Sequence, residues 1–277
     1  MERGRRVVKR KFDNSTIGVY KECPRKYYWR HVKGLVPAGG HGSAPLAFGS
    51  SIHLALDTWY GDKDDAKALK VFDKDWDVTL DDGKRTTGTG HRLLKMYFNR
   101  YRDAPIELIA SEMEFVLPFG DYEYWGRIDK VLSWDCMTWV MDHKTTSGMN
   151  DLFFAGANPN FQFEGYVWAA QQLGYKCNGF VLDGMLVAKT KADVARDRFY
   201  VTEKQLARWA NHTTTWMDRA SGDKQFPMND QNCTSYFTKC PYMKLCRETE
   251  KRVLDSMLEN EYVYEPWEPK EVTNAGV

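Results

Sequence analysis

Three consecutive segments in the middle of the chain constrain the fold most, because their periodicity departs from that of the sequence around them. Residues 112–118, 124–132 and 138–146 are short and rich in β-branched and aromatic side chains, which is the pattern of successive strands. Strands this close in sequence pair as hairpins and build a sheet. On either side the spacing becomes helical. Phe48, Ile52, Leu56 and Trp59 recur at three to four residues within 48–60, and 159–173 repeats that pattern. An apolar strand over 179–187 and a short one over 199–201 follow, and Thr202 with Gln205 forms a capping box for a helix running toward Ala220. The order predicts an α/β chain with a mixed central β-sheet flanked by helices.

The chain has 277 residues, of which 43% are apolar, enough to bury one sizeable core. The expected organisation is a single domain over 1–277 with appendages: a basic flexible arm over 1–14, a helical insertion over 62–102 broken at Asp81-Asp82-Gly83, a cysteine-rich segment over 228–250 and a flexible tail over 265–277. Near the start, Ser15 opens a short helix and Pro24 a second one. A net charge of +1 neither predicts nor excludes a polyanionic partner. The basic start precedes no apolar stretch, and apolar residues nowhere run on for about 18 positions, so no membrane association and a cytoplasmic location, in a bacterial or phage-infected cell, are expected.

The chemistry concentrates on two of the strands. Asp142 and Lys144 flank one residue, so the two-residue repeat of a strand places them on one face. If 124–132 and 138–146 form a hairpin, Asp129 comes beside Asp142, giving two hard oxygen ligands suited to Mg²⁺ or Mn²⁺. Such an ion lowers the pKa of a bound water and neutralises charge developing on a phosphate, and a nearby ammonium stabilises the same charge. The ordinary alternative pairs Asp129 with Arg127 or Lys130 and leaves Asp142 and Lys144 as a surface ion pair. Against it, Trp139, Val140 and Met141 make this strand apolar, and a buried charge there is costly without a function.

In order along the chain stand Cys23-Pro24-Arg25-Lys26-Tyr27, Phe48-Gly49-Ser50-Ser51-Ile52-His53, Gly126-Arg127-Ile128-Asp129, Asp142-His143-Lys144-Thr145-Thr146 and Gln162-x-x-x-Tyr166. In this order they resemble the motifs of the PD-(D/E)xK nuclease superfamily, in the branch of RecB-type nuclease domains, the CRISPR-associated nuclease of spacer acquisition and phage exonucleases. The resemblance implies a restriction-endonuclease-like core. It implies that His53, Asp129 and Asp142 hold a metal ion, with the backbone carbonyl of His143 as a further ligand, and that Lys144 is the catalytic lysine. Gln162 and Tyr166 would contact substrate or steady the site, with Glu112 in a lesser supporting role.

Six cysteines in a chain without a secretion signal point away from disulfides. Cys233, Cys240 and Cys246 crowd together near the C-terminus, and Cys23 lies far from them in sequence. Three plus one makes four soft ligands, fit for a [4Fe–4S] cluster, a structural zinc or neither. The branch that the chain resembles carries an iron–sulfur cluster on such a set, commonly with a C-x2-C-x5-C trio; the trio here is C-x6-C-x5-C. Cys136 and Cys177 are expected inside core strands and not as ligands.

The function implied is a metal-dependent DNA exonuclease acting on single-stranded DNA or duplex ends in recombination, repair or phage DNA processing, with a recombination or replication protein as a partner. The alternatives are a non-catalytic DNA-binding or assembly subunit, and an end-trimming nuclease within a DNA-integration complex.

Overall fold

In this computed structural model, residues 9–39, 43–235 and 238–267 are described. Along the chain run β1 (Arg10–Phe12), α1 (Asn14–Glu22), α2 (Pro24–Tyr27), β2 (Leu35–Pro37), α3 (Ala44–Asp62), α4 (Asp65–Asp75) and α5 (Thr87–Tyr101). The middle holds β3 (Ile106–Phe119), β4 (Tyr122–Trp134), β5 (Met137–Thr146), α6 (Asp151–Ala155), α7 (Phe161–Gln172), β6 (Cys177–Val187) and β7 (Ala192–Tyr200). Last come α8 (Glu203–Gly222), β8 (Thr234–Ser235), β9 (Thr238–Lys239), α9 (Met243–Arg247), α10 (Lys251–Glu261) and β10 (Tyr262–Tyr264). The chain divides into two compact units: Met1–His41, Val116–Gly126 and Ala210–Val277 in the first, Gly42–Phe115 and Arg127–Trp209 in the second.

The second unit carries the sheet in the order β4-β5-β6-β7, with β3 also paired to β4. β4 and β5 are antiparallel, Trp134 opposite Met137 and Lys130 opposite Met141. Asp135 and Cys136 join them, both with positive φ (52° and 60°), the two-residue turn whose twist matches a hairpin. β5 and β6 are parallel, Asp142 opposite Leu182 and His143 opposite Asp183, with α6 and α7 in the connection between them. β7 returns antiparallel along β6. It is longer than the short strand expected over 199–201, because Arg196 and Arg198 are accommodated over the rings of Tyr101 and Trp134 at 3.9 and 4.0 Å.

Helices α3, α4 and α5 pack on one face of this sheet. Phe48, Ile52, Leu56 and Trp59 of α3, Phe72 of α4 and Leu94 and Phe98 of α5 share a core with Trp139, Met141, Val181 and Met185. Within 62–102, α4 and α5 supply a large part of the core. α3 ends where Lys63 turns left-handed (φ 58°) and its ammonium lies 3.7 Å over the Trp59 ring.

In the first unit, β1 runs parallel to the start of β4, Phe12 opposite Tyr124, and both side chains are buried. The basic arm expected over 1–14 therefore becomes a strand at 10–12. Asp13 follows as the N-cap of α1, accepting from Thr16 N, two residues before the Ser15 start that the sequence indicated. Pro24 opens α2 as expected, at the first turn where its missing N–H costs nothing. β2 pairs antiparallel with β10, and β8 with β9. Residues 1–8 of the arm and 268–277 of the tail lie outside the described residues. Among the described residues no helix is long and apolar enough to cross a membrane.

The contact between α4 and α5 rests on Gly90. A Cβ built there would lie 2.1 Å from the Phe72 ring, whereas one at Gly88, two residues earlier, meets only Thr86 Oγ1 at 3.7 Å. Gly90→Ala is expected to lower stability by about 1–3 kcal/mol through overpacking. Gly88→Ala, which restrains the unfolded chain without a clash, should be neutral or slightly stabilising. Chemical denaturation of both variants checks this, and equal effects would refute it.

Candidate metal and catalytic site

The hairpin ladder between β4 and β5 runs as far as Lys130 and Met141, and one step further along the same register brings Asp129 opposite Asp142. Successive residues of β5 face opposite sides of the sheet. Asp142 and Lys144 share one side; His143, between them, turns its ring to the other. Asp129 and Asp142 are 7% and 2% exposed, so two carboxylates are enclosed next to one another with little water to screen them.

α3 brings His53 to the same place. Its Nδ1 lies 3.0 Å from Asp129 Oδ2 and its Nε2 lies 2.5 Å from the backbone carbonyl of His143. Both ring nitrogens thus meet acceptors. Burial pulls the His53 pKa down, but the hydrogen bond and charge of Asp129 and the charge of Asp142 outweigh it, and the net shift is upward. Lys144 Nζ contacts the two Asp142 oxygens at 2.9 and 2.7 Å. These groups line a cavity of about 640 Å³ together with Glu112, Arg127, Gln162 and Tyr166.

Electrostatics separate the two carboxylates. For both, burial acts to raise the pKa; at Asp129 the His53 contact overcomes this and holds the carboxyl well below its usual range. At Asp142 burial and the facing Asp129 charge prevail over the pull of Lys144, and the carboxyl is pushed up. Two carboxylates facing one pocket resist carrying charge together. Asp129 Oδ2 and Asp142 Oδ2 also receive no well-directed hydrogen bond, although their ion-pair partners are near.

Those under-satisfied oxygens, an imidazole nitrogen and the His143 carbonyl form a donor set that fits a divalent ion of the Mg²⁺ or Mn²⁺ type. His53, Asp129 and His143 each offer a ligand atom within 4.8 Å of the others. His143 Nε2 is engaged by Tyr97 and Asp183 behind β5, while its carbonyl meets His53 Nε2.

The remaining expected residues are placed as follows. Gln162 and Tyr166 stand on one face of α7, capped by Asn160, and Gln162 Nε2 donates to Tyr166 Oη at 2.9 Å. Glu112 lies 3.1 Å from Arg127 Nε. Burial raises its pKa, with Arg127 opposing. Its φ of 48° is left-handed, a local strain of about 1–3 kcal/mol at the cavity wall. Neither ordinary partner of Asp129 is used: Arg127 pairs with Glu112, and the buried Lys130 lies 3.5 Å from Asp57.

A buried polar network behind His143 was missed. Asp183 Oδ2 lies 3.3 Å from His143 Nε2 and accepts from Tyr97 Oη at 2.5 Å; Arg196 bridges Asp183, Tyr97 and Tyr60. A lone aspartate inside the apolar run 179–187 was the available signal, of the same kind as Asp142.

In the first unit, Cys23 links α1 to α2 with its thiol buried, and accepts from Asn229 N at 3.4 Å. Cys240 N donates to the Cys233 carbonyl at 2.8 Å, and Cys240 and Cys246 pack against Trp29, Tyr242 and Leu245. Burial raises the Cys240 thiol, with Cys23 and Cys233 adding to the rise; burial also raises Cys246, to which Cys240 and Cys23 add. The four sulfurs are therefore electrostatic neighbours. Yet among the described residues no three of them lie within 4.8 Å of one another, whereas tetrahedral zinc would hold its sulfurs about 3.8 Å apart. Cys177 is buried at the start of β6 as expected. Cys136 is not in a core strand: it is exposed in the β4–β5 turn, where positive φ excludes continuation of the strand.

A mixed sheet flanked by helices, ending in enclosed carboxylates beside a lysine, defines a restriction-endonuclease-like α/β protein. The chain belongs to the PD-(D/E)XK nuclease superfamily, whose family model matches residues 14–247. A crystal structure of a candidate exonuclease from Eubacterium rectale is similar in fold, with a TM-score of 0.53, 14% identity, and 86% of this chain and 89% of that chain covered. The structure of SSO0001 overlaps with a TM-score of 0.33 at 14% identity over 72% of this chain and 84% of that one, too little to carry an inference. No curated protein matches the chain.

The network behind β5 makes stability depend on pH. Burial, against the pull of Asp183, lowers His143 from 6.5 to about 4, so the folded protein keeps it neutral where the unfolded chain binds a proton. Arg196 and His143 hold Asp183 well below its usual range despite burial, which adds a loss at lower pH. Both groups bind more protons when unfolded, so their stabilisation is lost on acidification, His143's between about pH 6.5 and 4. His53, with its raised pKa, acts oppositely and loses its contribution as pH rises above 6.5. Melting temperatures of metal-free wild type and His143→Gln should differ in slope between pH 6.5 and 4, with the variant flatter; parallel curves would exclude this.

Proposed function

We propose that this nuclease is a metal-dependent DNA exonuclease, hydrolysing phosphodiester bonds at DNA ends in recombination, repair or phage DNA processing. The observation that carries the reading is the enclosed pair Asp129 and Asp142 with His53 and Lys144 around one cavity. His53, Asp129, Asp142 and the His143 carbonyl would hold the metal ion. When bound, such an ion activates water and neutralises phosphate charge. Lys144, fixed on Asp142 and partly exposed to the cavity, orients the attacking water and stabilises charge developing on the phosphoryl oxygens. Gln162 and Tyr166, tied to each other on α7, hold the scissile strand against that lysine, and the Glu112–Arg127 pair supports the opposite wall. The fold likeness to the candidate exonuclease and the resemblance to the RecB-type branch support action at ends over internal cleavage.

End-labelled single- and double-stranded DNA incubated with Mg²⁺ or Mn²⁺ should be degraded progressively from an end. Lys144→Ala and Asp129→Ala should each lower the rate by at least about 10²-fold, the usual scale for losing one group that stabilises transition-state charge. Undiminished activity in both variants would sink the assignment, and internal cuts in circular DNA would replace the exonuclease with an endonuclease.

Cys23, Cys233, Cys240 and Cys246 are proposed to hold a [4Fe–4S] cluster that joins the N- and C-terminal segments of the first unit. The support is that Cys23 and Cys233 act on the Cys240 thiol, and Cys240 and Cys23 on that of Cys246, which places four soft ligands as neighbours. Anaerobically purified protein should be brown and contain iron and sulfide in about equal amounts, and Cys23→Ser should lose both. Colourless protein containing zinc would show the alternative.

A further inference from the structure

The ladder between β4 and β5 stops at Lys130 and Met141, so the catalytic end of β5, from Asp142 onward, is paired in the sheet on its β6 side. The carbonyl that His143 turns toward His53 lies on this less restrained stretch. Yet its place must be accurate, because it sits 2.5 Å from a nitrogen that shares the metal pocket.

On the other face of β5 the His143 ring is 1% exposed and is gripped by the buried network. Its Nε2 lies 3.1 Å from Tyr97 Oη and 3.3 Å from Asp183 Oδ2. Arg196 donates to both Asp183 oxygens at 2.5 and 2.8 Å and to Tyr97 Oη at 2.8 Å. Tyr60 Oη meets Tyr97 Oη at 2.8 Å and Arg196 at 3.0 Å; its ring lies 6.1 Å from that of His143, but its hydroxyl makes no hydrogen bond to it. A buried ion pair of this kind is weak as a source of stability, since its desolvation cost rivals its attraction. It does hold a side chain to one geometry, and partners that orient a liganding residue commonly govern metal affinity.

We infer that Tyr97 and Asp183, backed by Arg196, are positioning residues that clamp His143 from behind β5 and so fix its carbonyl in the metal pocket. This rests on the metal-site reading proposed above. The clamp reaches the pocket through the His143 peptide, and side chains on α5, β6 and β7 thereby set metal affinity without touching the metal.

Tyr97→Phe and Tyr60→Phe form a matched pair: each removes one buried hydroxyl from the same network, but the first alone removes a contact with His143. Mn²⁺ binding to the full chain can be followed by the electron paramagnetic resonance of the free ion, alongside melting of the metal-free protein and the Mn²⁺ dependence of cleavage. Tyr97→Phe is expected to weaken Mn²⁺ binding by about 10-fold or more, the scale seen for partners that orient a ligand. Tyr60→Phe should stay within about twofold of wild type although its melting temperature falls comparably. At saturating Mn²⁺ the cleavage rate of Tyr97→Phe should recover most of its loss. Equal Mn²⁺ affinities in the two variants would overturn the clamp and leave the network a purely structural role. Should Tyr97→Phe fail to fold, Asp183→Asn is read against Tyr60→Phe by the same criterion. Asp142→Ala separates the two ideas: if it binds Mn²⁺ as wild type does, the metal site itself is misassigned, whereas its loss of binding beside unchanged Tyr97→Phe refutes the clamp alone.

Discussion

Repulsion between Asp129 and Asp142 governs how the second unit is put together. Both sit at the end of a hairpin ladder, almost closed to water, where two negative charges cannot coexist without compensation. The structure supplies that compensation from separate elements: an imidazole from α3 on Asp129, an ammonium from β5 itself on Asp142. Each is a single partner for a carboxylate with room for more. The under-satisfied oxygens, Asp129 Oδ2 and Asp142 Oδ2, are the ones a bound cation would take up.

The two faces of β5 divide the labour. One side carries the charged groups around the cavity; the other joins a core of aromatic and aliphatic side chains from α3, α4 and α5. The buried network is the exception on that second side, a polar island in an apolar layer, and its position directly behind His143 is what gives it meaning. In the first unit the cysteines are similarly backed by Trp29, Tyr242 and Leu245.

Much of this was legible in the residues because the signals were local. Period two placed Asp142 and Lys144 together, hairpin spacing brought Asp129 opposite, and helical spacing on α3 carried His53. What escaped depended on long-range partners. β7 was expected only over 199–201, because the ring faces under Arg196 and Arg198 come from distant segments. Asp183 stands within a run read as apolar, and the partners that give it a role, Tyr97 and Arg196, lie on α5 and β7. The left-handed backbone at Glu112 and the exposure of Cys136 are conformational facts with no composition signal; neither residue type is the glycine that such φ values favour. The start of α1 was displaced because two capping residues, Asp13 and Ser15, compete within one turn.

The β4–β5 turn has a further consequence. Two residues, Asp135 and Cys136, fix which position of one strand faces which position of the other. A strand presents alternate residues to alternate sides, so a single inserted or deleted residue in this turn would send one of the two carboxylates through the sheet. The turn is thus a ruler for the distant end of the hairpin. Its amino acids can change as long as they tolerate positive φ, but its length cannot, and variation among related chains should spare the count here even where it does not spare the identity.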